Sequence, residues 1–66
     1  MIKVNRLNGK EFVVNADLIE CVESTPDTVI TLTTGNKYVV QQSIDEIIEK
    51  VKEYKRDVNG FFKAVN

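Results

Sequence analysis

A chain of 66 residues with a net charge of -1 is one domain at most, and its pI near 5.3 lacks the positive excess that drives sequence-independent binding to phosphates. One cysteine and no histidine leave neither an internal disulfide nor a zinc site, and they remove the commonest acid–base catalyst at neutral pH. A core of this size supplies only about 3–5 kcal/mol, so self-association is an expected source of further burial.

Taken in order, residues 1–7 alternate loosely, with Ile2 and Val4 on one side and Lys3, Asn5 and Leu7 on the other. Asn8-Gly9 follows, a pair that suits the two positive-φ positions of a type I′ hairpin loop. Counting outward from it sets Arg6 opposite Glu11 and Val4 opposite Val13 on the return strand Lys10 to Val14. Phe12 and Val14 then point away from Val4, so either a bulge resets the alternation or both faces are partly covered. Asn15-Ala16-Asp17-Leu18 reads as a connector, with Asp17 in a turn or capping role.

The stretch from Ile19 to Val40 organises the rest. Thr25-Pro26-Asp27-Thr28 predicts one reversal, with proline's fixed φ at the second position of a type I turn, and Gly35-Asn36 predicts another, so a three-stranded meander is expected. Counting from both turns as two-residue loops puts Ile19, Cys21, Ile30, Leu32 and Val39 on one face. The opposite face then holds Glu20, Val22, Ser24, Val29, Thr31, Thr33, Tyr38 and Val40, and is only half polar.

Ser43 opens a helix predicted over residues 44–56. Its hydroxyl and the carboxylate of Glu46 have the spacing of a reciprocal capping box. Ile44, Ile47, Ile48, Val51 and Tyr54 form an apolar stripe at spacings of three and four, expected to cover Ile19, Cys21, Ile30, Leu32 and Val39. Asp45, Glu46 and Glu49 near the start and Lys50, Lys52, Lys55 and Arg56 near the end complement the backbone dipole. Residues 57–66 are expected to be a tail, with Asn59-Gly60 ending the helix or turning the chain. Phe61 and Phe62 are expected to fold back onto the sheet, pack against another copy, or meet a partner.

The fold class that results is α+β: a small antiparallel sheet of about five strands, a hairpin followed by a meander, with one C-terminal helix. Domain 1–56 precedes the tail. Catalytic chemistry finds no foothold in it. Glu20 and Glu23 fall on opposite faces, Cys21 is assigned to the core as an inert thiol, and Gly9, Gly35 and Gly60 are isolated from one another, so no phosphate-binding loop is present. No catalytic residue, metal ligand or cofactor is assigned. No apolar run approaches the ~20 residues of a membrane span, and an unpaired cysteine with no apolar leader fits the reducing cytoplasm.

Arg6-Leu7-Asn8-Gly9-Lys10, Asn15-Ala16-Asp17-Leu18-Ile19-Glu20, Thr25-Pro26-Asp27-Thr28-Val29-Ile30-Thr31-Leu32-Thr33 and Gly35-Asn36-Lys37-Tyr38-Val39-Val40 together resemble the small flagellar FlbD family, also called the swarming motility protein SwrD family. The resemblance covers residues 1 to about 56. It implies a cytoplasmic, non-enzymatic bacterial protein that supports swarming and the power of the flagellar motor, with no catalytic residues to carry over.

The leading expectation is therefore an adaptor that binds itself or a flagellar motor or stator component through Val22, Val29, Thr31, Tyr38 and Val40. The alternative is a nucleic-acid-binding regulator of flagellar genes that uses a basic patch of Lys52, Lys55 and Arg56, with Lys50 and Lys63 nearby. The charge balance makes nucleic acid the less favoured partner.

Overall fold

The structure is a computed structural model that describes residues 1–65, with side chains described for residues 1–57. Its order is β1 (Ile2–Asn5), β2 (Glu11–Val14), a 3-10 turn (Ala16–Leu18), β3 (Ile19–Ser24), β4 (Thr28–Leu32), β5 (Lys37–Val40) and α1 (Ile44–Val65). The α+β class and its five strands are as expected, and the strands divide into an antiparallel β1-β2 sheet and a β3-β4-β5 sheet. The connector is a 3-10 turn, capped by Asn15 Oδ1, which accepts from the Asp17 N–H at 3.0 Å.

Loop length sets the register, and it differs from the expectation in every hairpin. Arg6 N–H donates to Lys10 O at 2.9 Å and Gly9 N–H to Arg6 O at 2.8 Å, which closes a loop of Leu7, Asn8 and Gly9. The same pattern recurs where Leu32 N–H donates to Asn36 O at 2.8 Å and Gly35 N–H to Leu32 O at 2.9 Å. Only the glycines take positive φ, 91° at Gly9 and 95° at Gly35, whereas a type I′ loop needs two such residues. These are turns closed by a left-handed glycine, one residue longer than counted.

The loop at Pro26 is also longer. Ser24 pairs with Thr28, leaving Thr25, Pro26 and Asp27 between the strands in place of the expected two-residue turn of Pro26 and Asp27; the Thr25–Pro26 peptide is cis.

A one-residue change in a loop turns every side chain of the following strand to the other face. Val4 therefore pairs with Phe12 and Ile2 with Val14, which resolves the mismatched faces of the first hairpin. In the second sheet Val22, Ile30 and Tyr38 form one cross-strand row, and Thr28 with Val40 another. A bulge between Ile19 and Cys21 sets Ile19 opposite Leu32, so Ile19 and Val22 both face inward despite their spacing of three. The expected inner set is thus corrected. Ile30 and Leu32 are buried, but Cys21 is exposed and Val39 is 39% exposed.

The inner faces of the two sheets meet in one core. Ile2, Val4 and Val14 come from the first sheet, Ile30, Leu32 and Val40 from the second, Ala16 from the connector and Ile47 from α1. Cutting Ile30 or Ile47 to alanine costs about 2–5 kcal/mol, comparable with the whole stability of a domain this size. The sheets join at one corner, where Arg6 bridges to Val40 and Gln41 N–H donates to Asn5 O at 2.8 Å.

The capping box is present: Glu46 N–H donates to Ser43 Oγ at 3.1 Å and Ser43 N–H to Glu46 Oε1 at 3.2 Å. The stripe of Ile44, Ile47, Val51 and Tyr54 faces the body, resting mainly on β1 and β3, whereas Ile48 lies at its flank and is 44% exposed. The helix also runs to Val65, past the expected end near residue 56. Asn59-Gly60 does not stop it, since an isolated glycine weakens a helix by only about 1 kcal/mol relative to alanine. The side chains of Phe61 and Phe62, for which three destinations were expected, lie outside the described residues, as does that of Lys63.

Candidate interaction surface

The register splits the expected interaction face between two sides of the sheet. Val40 is buried, and Val22 and Tyr38 pack against the core, so none of the three offers an outer surface. Val29 and Thr31 remain on the outer face. Two cross-strand rows make up that face: Glu23, Val29 and Val39, then Cys21, Thr31 and Lys37. Val29 and Thr31 are half-buried and the rest are exposed, so the centre is apolar and β-branched with one acidic and one basic corner. The Cys21 thiol sits within 3.8 Å of Glu23 Oε1.

A second cluster lies at the joint of the sheets. Phe12 and Tyr38 have ring centroids 5.4 Å apart and inclined at 50°, and the Arg6 guanidinium stands 4.4 Å from the Phe12 centroid and 5.7 Å from that of Tyr38. Bending the chain at Gly9 is what brings Arg6 over Phe12. The sequence reading missed this cluster because its register turned Phe12 away from Val4.

On α1, Lys52, Lys55 and Arg56 are exposed and share one face of the helix by their spacing. Lys52 Nζ lies 3.8 Å from Glu49 Oε1, so part of that charge is paired along the helix itself. Asp17, read as a turn residue, accepts a hydrogen bond from the Tyr54 hydroxyl at 3.0 Å. That bond and the charge of the Asp17 carboxylate raise the Tyr54 pKa above its ordinary value, with partial burial adding to the rise.

Among the described residues, no three His, Cys, Asp or Glu side chains converge as a metal site, and no helix is long and apolar enough to cross a membrane. What the surface can do is bind: an apolar strip on the three-stranded sheet, an aromatic pair under an arginine, and a helix face rich in lysine and arginine.

Comparison with curated proteins and with solved structures gave no match. Comparison with protein families matched residues 1–59 to FlbD, described as flagellar and swarming motility proteins. That match spans nearly the whole chain, including all five strands and the docked part of α1. The chain belongs to the FlbD family of flagellar and swarming motility proteins.

Proposed function

We propose that this FlbD-family chain works without catalysis of its own, in the cytoplasm, by docking on a flagellar motor or stator component and so supporting the power that the motor delivers. The observation that carries the reading is the outer face of the three-stranded sheet. Val29 and Val39 pair directly across strands there, and Val39 is exposed although β-branched apolar residues generally seek cover. Glu23 and Lys37 stand at its corners and can orient a partner by charge.

The test is affinity capture of the tagged full chain from swarming cells, with wild type beside V39E. Stator or motor-switch proteins should be recovered with wild type and lost with V39E. Recovery of RNA or DNA in their place, lost on low-salt washing of a K52E/K55E/R56E variant, would overturn the reading in favour of the nucleic-acid alternative.

A further inference from the structure

The charges on the outer face of the three-stranded sheet match a second copy of that face. Its side chains point away from the core in which Ile47 of α1 sits, so the helix lies on the opposite side of the sheet. Glu23, Val29 and Val39 form one row, and Cys21, Thr31 and Lys37 form the next. Glu23 and Lys37 therefore hold opposite corners, two strands and one row apart. At a strand spacing of about 4.8 Å and a row spacing of about 6.8 Å, they stand about 12 Å from each other, too far for an ion pair within one chain. Both are exposed, and the patch they bound is neutral.

Two copies can lie face to face about a two-fold axis in the plane between them. With the axis along the strands, Glu23 meets Val39 of the other copy, and with the axis across them it meets Cys21. Along the diagonal from Glu23 to Lys37, the axis sets Glu23 on Glu23 and Lys37 on Lys37. At right angles to that diagonal, it sets Glu23 of each copy on Lys37 of the other, and symmetry makes the pair twice. The same axis lays Val29 over Val39 and Thr31 over Cys21, so the apolar side chains cover one another as the charges meet.

We propose that this face is the contact between two copies of the chain, paired about the axis that joins Glu23 to Lys37 with strands crossing at about 70°, near the orthogonal class of sheet packing. A second copy is the occupant because it brings both charges at the required separation and an apolar centre of the same shape. Six side chains a copy fall well short of the ~20–30 of a standard interface, so the pair is weak and comes apart on dilution.

The pair covers the surface that the docking reading gives to the motor. A consequence that rests on that reading is that docking competes with pairing, and the paired chain is a reserve. The pairing itself does not depend on it.

Sedimentation of the full chain at low salt, across a concentration series up to about 1 mM, tests the pairing. The wild type should show a monomer–dimer equilibrium. E23K and K37E should each weaken it by about tenfold or more, because each sets like charges face to face. The double reversal E23K/K37E should recover it, since Lys then meets Glu at both contacts. Its net charge equals that of the wild type, so recovery reports the paired positions and not general attraction. A monomer throughout the wild-type series, or a double reversal as weak as the single variants, would overturn the proposal.

Pairing and docking fail separately. Wild type that pairs in the centrifuge but captures no motor protein from swarming cells overturns docking and leaves pairing. Capture of motor proteins by a chain still monomeric at about 1 mM overturns pairing alone.

Discussion

Asn5 and Gln42 hold each other by two reciprocal hydrogen bonds: Asn5 N–H donates to Gln42 Oε1 at 2.8 Å, and Gln42 Nε2–H donates to Asn5 Oδ1 at 2.8 Å. The pair ties the end of β1 to the segment between β5 and α1, 37 residues further along the chain. Among the described residues one backbone bridge, at Arg6 and Val40, joins the two sheets, and this side-chain clamp reinforces that corner beside their common core.

Gln42→Ala should therefore destabilise the domain by about 1–3 kcal/mol, because it strands a half-buried backbone N–H as well as removing the pair. Urea denaturation followed by circular dichroism measures it. Asn5→Ala should cost a similar amount, and the double variant less than the sum of the two.

Gly9 and Gly35 close their loops at φ of 91° and 95°, with open space where a Cβ would stand. The cost of alanine there is one of backbone conformation alone, about 1–2 kcal/mol at each position. Asparagine, which tolerates the left-handed region better, should cost less at Gly35 than alanine does, as thermal melts of G35A and G35N would show.

Arg6 over Phe12 and Tyr38 is a cation–π contact at the surface, worth about 0.5–1 kcal/mol. Arg6→Ala should weaken the domain by that amount at any moderate salt concentration. A double-mutant cycle with Phe12→Leu should return a coupling of the same size.

The Asp17–Tyr54 bond makes stability pH-dependent at the alkaline end. The folded-state pKa of Tyr54 lies above that of the unfolded chain, so the bond's stabilisation is fully present below pH ~10 and is lost as the pH rises through the folded-state value. An NMR titration of the tyrosine ring should show the raised value in wild type and a return toward the ordinary one in D17N.

Much of this was legible in the residues themselves. Ser43 and Glu46 announced the start of the helix, the apolar spacing of Ile44, Ile47, Val51 and Tyr54 gave its buried face, and each strand lies where alternation and turn residues placed it. What failed was parity. Asn8-Gly9, Pro26-Asp27 and Gly35-Asn36 all invite a two-residue loop, but each hairpin closes with three, and an odd error exchanges inside for outside.

Val39 and Cys21 moved outward and Val22, Tyr38 and Val40 inward for that reason alone. Hydropathy could not arbitrate, because Cys21, Val22, Val39 and Val40 are adjacent pairs of similar character. The bulge beside Glu20 obscured β3 further, since it lets Ile19 and Val22 share a face. For the same reason only Val29 and Thr31 of the expected face lie on the outer side of the three-stranded sheet.

The central functional claim is that the outer face around Val39 meets the flagellar motor, and the torque of single motors in tethered cells tests it most directly. Cells carrying V39E, with the chain folded and abundant at wild-type levels, should turn their motors with the reduced torque of cells lacking the protein. Full torque with V39E in place would contradict the claim.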